Sequence, residues 1–163
     1  MKSNKHSTVE CLLQFRDYLW FMLKGVKFMK IQTKWQGKQA FTAMGDSGYE
    51  MQMDVNGKGC RPTELLLAAL SGCMGISIMT ILKRYEDQID SLELETDGHK
   101  HEGVPSSFAN ITIMVKVMGT IDSKHIWRAI HLAEEKYCTV SNSIQSPISF
   151  RLMVNGEEVP TLA

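Results

Sequence analysis

Between Arg61 and Tyr85 the alternation of apolar and polar positions that marks most of the chain stops. From Leu65 to Leu82 no residue is charged, and apolar side chains fall on every face of a helical projection. That pattern predicts one long helix over Arg61–Tyr85 that must be covered on all sides. Pro62 suits its first turn, where a missing N–H costs nothing. Glu64 complements the positive end of the helix dipole, and Lys83 and Arg84 suit the opposite end. The run reaches the lower edge of what a bilayer crossing needs. However, Ser71, Gly72, Gly75, Ser77 and Thr80 dilute it, and the flanking segments alternate like soluble strands. A buried core helix is expected, with no membrane.

On the N-terminal side, Ile31, Thr33 and Trp35 share one strand face, Gly37 turns, and Phe41 lies in a second strand. Gly45-Asp46-Ser47-Gly48 turns again before Tyr49, Met51, Met53 and Val55 line a third. This predicts an antiparallel meander, joined to the helix by a flexible link, Asn56–Gly59. Beyond the helix, Leu92, Leu94 and Thr96 alternate with acids, a strand with one wet face. Gly98–Ser107 reads as a polar loop, and Ile111, Ile113, Val115 and Val117 as the next strand, ending at Gly119. Asp122 or Ser123 caps a second helix carrying Ile126, Trp127, Ile130, Ala133 and Tyr137, with Cys138 at its end and a polar turn over Thr139–Ser146. Ile148–Val154 is a last strand closed by the hairpin-type pair Asn155-Gly156. The order βββ-α-ββ-α-β is that of an α+β domain.

Residues 1–28 differ from the rest: Leu12, Phe15, Leu19 and Met22 fit one face of an amphipathic helix, and Arg16 and Asp17 interrupt what would be a signal-peptide core. The expectation is an extension over 1–28 and a domain over 29–163, with Met29 the natural start of translation.

The chain's 163 residues allow a substantial core, with about two-thirds of the unfolded surface buried. Eighteen basic and eighteen acidic residues balance to zero, and no basic stripe suggests nucleic acid. Four cysteines, Cys11, Cys60, Cys73 and Cys138, are widely separated, which points to a reducing, cytoplasmic setting rather than a disulfide framework. Cys73, flanked by Gly72 and Gly75, reads either as a small hydrophobe in a packed helix or as a reactive thiol approachable by a ligand. Cys138 ends a helix or serves a second thiol role. Cys60, beside Arg61, reads as an incidental exposed thiol. His99 and His101 lie in a polar loop, and the cysteines lack zinc spacing, so no metal is expected.

The segments RPTELLLAALSGC (Arg61–Cys73), the helix onward to Arg84, and KYCTVSNSI (Lys136–Ile144) resemble the OsmC/Ohr family, over about Met29 to Val159. The resemblance implies an OsmC-like fold, with antiparallel sheets wrapped around the long apolar helix, and an intertwined homodimer in which the partner chain covers what the helix's own sheet cannot. It also implies a thiol-dependent peroxidase: Cys73 attacks an organic hydroperoxide, Cys138 resolves the sulfenic acid, and an external dithiol of lipoyl type restores both thiols. No cofactor or metal is implied. In the hydroperoxide reductases an acid directly follows the helix-opening proline and pairs with a strand arginine. Here Thr63 follows Pro62, the acid is Glu64, and no arginine lies between Met29 and Val55. Glu64 and Arg61 are the candidate supporting pair, and the chain sits nearer the OsmC-like branch. The competing reading is a stress-associated protein that binds an apolar ligand, or senses thiol oxidation, without peroxidase turnover.

Overall fold

A computed structural model describes residues 29–57 and 59–161. The amphipathic helix expected within residues 1–28, and the boundary after it, lie outside those residues. The chain divides at Cys60/Arg61 into two compact units.

The first unit is the expected meander: β1 (Ile31–Gly37), β2 (Ala40–Gly45) and β3 (Glu50–Asp54), antiparallel in that order. Trp35 pairs with Phe41 and Phe41 with Met53, so the apolar alternation stacks on one face. The turn after β1 uses positive φ at Gly37 and Lys38, and the Trp35 indole N–H donates to the Lys38 carbonyl at 2.9 Å. The link read as flexible is in part pinned. Cys60 N–H donates to the Gln52 carbonyl (3.1 Å) and Asp54 N–H to the Cys60 carbonyl (3.2 Å). Gly59 is required there, because a Cβ would stand 2.8 Å from the Gln52 oxygen.

The second unit begins with α1 (Pro62–Leu82), followed by a 3-10 turn over Lys83–Gln88. The chain leaves the α-helix three residues earlier than the sequence pattern predicts, and Tyr85 instead stacks on His125 with ring centroids 4.5 Å apart. Then come β4 (Ile89–Lys100), β5 (Phe108–Gly119), α2 (Ser123–Leu132), a π-type turn over Ala133–Tyr137, a 3-10 turn over Ser141–Ser143, β6 (Ile148–Val154) and β7 (Glu157–Val159). The four strands form one sheet in the order β4-β5-β6-β7. β4 runs past Gly98 because Gly98 and His99 pair with Ile111 and Asn110. β6 runs parallel to β5, so the sheet is mixed rather than wholly antiparallel. α2 supplies the crossover that a parallel pair demands. Asn155 and Gly156, both at positive φ, make the β6–β7 turn, and β7 is a short strand the sequence pattern did not disclose.

The core follows from period. Leu70, Met74, Ile78 and Leu82 recur every four residues on one side of α1, and all are buried. They join Ile111, Ile113, Val115 and Val117 from alternate positions of β5, and Ile126, Ala129 and Ile130 of α2. Each such aliphatic side chain contributes about 1.5–3 kcal/mol of transfer free energy. The opposite side of α1 is not covered by the described residues of its own unit: Leu66 is 40% and Ile76 71% exposed, with Ala69 and Gly72 exposed between them. Coverage on all sides is therefore not achieved by the chain's own sheet.

Candidate functional site

Cys73 sits midway along α1 at the margin between these two sides and is half-buried. Gly72 faces outward. Gly75 lets the helix lie close to the sheet, since a Cβ there would be 3.5 Å from Leu94.

Cys138 is delivered by the end of the second helical segment. The π-type turn lengthens the last hydrogen bond, so that Cys138 N–H donates to the Ala133 carbonyl at 2.8 Å. The backbone then becomes extended at Cys138 itself, with φ −81° and ψ 101°. The next residues fold back onto it. Ser141 N–H donates to the Cys138 sulfur (3.3 Å), and the Ser141 hydroxyl (2.9 Å) and the Asn142 side-chain amide (2.9 Å) donate to the Cys138 carbonyl. Cys138 is fully buried.

The fold brings the two thiols together. The Cys73 thiol lies near enough to Cys138 and to the backbone of Thr139 and Val140 for each to act on its ionisation. Both cysteines are free thiols. Burial is the largest influence on Cys73 and pushes its pKa above the ordinary thiol value. The neighbouring Cys138 pushes the same way, and the two backbone N–H groups offset part of the rise. Among the described residues, no cationic side chain acts on this thiol.

Arg61 and Glu64 do not join the site within this chain. Arg61 is the N-cap of α1, with extended backbone, and Glu64 Oε2 accepts the Arg61 N–H at 2.8 Å. An arginine side chain has no acceptor to return, so Glu64 alone caps the orphan donor. Both residues are exposed, and at a rise of 1.5 Å per residue Glu64 lies about 14 Å along the axis from Cys73. The Glu64 carboxylate, read from the sequence as possible support for the thiol, is engaged at the helix end, while the Arg61 side chain makes no capping bond. Cys60 is exposed at the end of the first unit, as expected.

Sequence reasoning missed Ser141 and Asn142, reading them only as a polar turn. The available signal was their spacing: Ser and Asn three and four residues after a helix-ending thiol are placed to bond back to it.

A family model described as OsmC-like protein matches residues 55–153, which contain both thiols and every element from α1 to nearly the end of β6. The chain belongs to the OsmC-like family. It is 27% identical over 124 residues to the protein YhfA of Escherichia coli K12, covering 74% of this chain and 92% of that one. Among solved structures, an OsmC-like protein of unknown function from Vibrio cholerae superposes with a TM-score of 0.69 at 17% identity, over 78% of this chain and 100% of that one. The organic hydroperoxide resistance protein OhrB of Bacillus subtilis superposes with a TM-score of 0.57 at 17% identity, over 79% and 98%. At such identities these structures speak for the fold. It is the mixed α+β architecture of two sheets and a long helix that the OsmC-like resemblance implies.

Proposed function

We propose that this OsmC-like protein is a thiol-dependent peroxidase that reduces organic hydroperoxides through Cys73 and Cys138. The observation that carries the reading is the proximity of two free thiols that the sequence places far apart. In the first step the Cys73 thiolate attacks the terminal peroxide oxygen. The O–O bond breaks, the alkoxide takes a proton to leave as an alcohol, and Cys73 becomes a sulfenic acid. Cys138 then displaces water from that sulfenic acid and forms the disulfide. A dithiol of lipoyl type, itself oxidised to a cyclic disulfide, returns both thiols. Among the described residues, the backbone of Val140 and of Thr139 favours the charged form of Cys73.

The exposed apolar line of α1, Leu66–Ala69–Gly72–Ile76, supports a homodimer in which a second copy lies against this helix. A reducing cytoplasm is the compartment in which such a pair cycles. One observation favours the competing reading of a thiol sensor without turnover: burial pushes the Cys73 pKa up, and among the described residues no cationic side chain opposes that rise.

Treating the reduced protein with one equivalent of cumene hydroperoxide separates the readings. The enzyme forms a Cys73–Cys138 disulfide by peptide mapping, loses it in Cys73→Ser, and consumes peroxide repeatedly with dihydrolipoamide. A disulfide without repeated consumption indicates a sensor. Retention of both thiols overturns the redox reading and leaves an apolar-ligand binder.

A further inference from the structure

We propose that Ser141 is a positioning residue that holds the Cys138 sulfur in register with Cys73, in the redox pair on which the proposed function rests. The π-type turn Ala133–Tyr137 ends its helix abruptly, which leaves carbonyls near the terminus without the next N–H of a continuing helix. Ser141 supplies part of what is missing. Its hydroxyl lies 2.9 Å from the Cys138 carbonyl and 3.4 Å from that of Glu134. Having one proton, it donates chiefly to the nearer. Its own N–H meets the Cys138 sulfur at 3.3 Å.

One buried residue, 8% exposed, therefore grips Cys138 at both its carbonyl and its sulfur. The carbonyl bond fixes the backbone that carries the side chain, and the N–H fixes the direction of the sulfur. Asn142 adds a second, parallel hold on the same carbonyl, through its amide side chain at 2.9 Å and its N–H at 3.2 Å. The turn Cys138–Ser143 is thereby a loop closed on itself. Its conformational freedom is spent before the disulfide forms, which raises the effective concentration of the second thiol at the first.

The test reads that effective concentration directly and needs no peroxide. Equilibrate the full chain in glutathione buffers, where oxidised glutathione takes two electrons and two protons from Cys73 and Cys138 and leaves two reduced glutathiones, and quantify the intramolecular disulfide by peptide mapping. Ser141→Ala removes the hydroxyl but keeps the N–H. It is expected to lower the equilibrium constant about fivefold, the change carried by one net hydrogen bond. Ser141→Thr, which retains the hydroxyl, is expected to restore it. A residue of purely structural importance would lower the melting temperature without changing this constant in the folded protein. An unchanged constant in folded Ser141→Ala overturns the proposal. Should Ser141→Ala not fold, Asn142→Ala reads the same hold: a drop supports it and no change overturns it. Failure of the peroxide reaction in the wild-type protein removes the proposed function without touching this equilibrium.

Discussion

Cys73 shows how two opposed influences on one sulfur set what it can do. Burial and the adjoining Cys138 thiol push its pKa up, while the N–H groups of Val140 and Thr139 pull it down. The upward influences dominate, so a smaller fraction is thiolate at neutral pH than for a free cysteine. Alkylation of Cys73 by iodoacetamide, followed by peptide mapping, is expected to keep accelerating with pH after free cysteine, with its pKa of about 8.5, has reached its plateau. The sign carries to stability. A thiol whose folded pKa is raised favours folding below its unfolded value, and that contribution is lost as pH rises through the folded value. Chemical denaturation across the alkaline range is expected to show the decline, and Cys73→Ser is expected to flatten it. An alkylation midpoint at or below that of free cysteine would count against both.

At the level of elements, the joints decide more than the elements do. Gly119 ends β5 at φ 144°, and a Cβ there would collide with the Gln88 carbonyl oxygen, which itself accepts the Thr120 N–H at 2.9 Å. Asn155 closes the same corner: its side chain bonds both the N–H (3.0 Å) and the carbonyl (2.9 Å) of Gly119. Gly119→Ala is therefore expected to cost about 2–3 kcal/mol, from backbone conformation and overpacking together, measured by urea denaturation with an unchanged m-value. The strands and helices were largely legible beforehand because period 2 and period 3.6 are local properties of the chain. β7 was not, since three residues carry too little pattern. Nor was the early end of α1, where stacking of Tyr85 on His125 joins residues that no local rule connects.

For the whole molecule, the unresolved balance lies on α1. One side contributes Leu70, Met74, Ile78 and Leu82 to the core, while Ile76 on the other is 71% exposed. A line of small and apolar residues of this kind lets a second helix approach closely. Sedimentation of the full chain is expected to give a dimer, and Ile76→Glu to shift it toward monomer, because a buried glutamate without a partner is costly to desolvate. A wild-type monomer at micromolar concentration would remove the dimer from the account.

The sequence by itself determined the alternating strands, the uncharged helix and its proline start, the asparagine–glycine turn and the choice of Cys73 and Cys138 as the thiols to watch. All of these rest on composition and short-range spacing. Only the tertiary structure decided that the two thiols lie close enough to influence each other, that Ser141 grips one of them, that β6 runs parallel to β5, and that Glu64 caps the Arg61 N–H. Those outcomes depend on which distant segments pack together and on the competition of each polar atom for its nearest partner, and neither quantity is a local property of the chain.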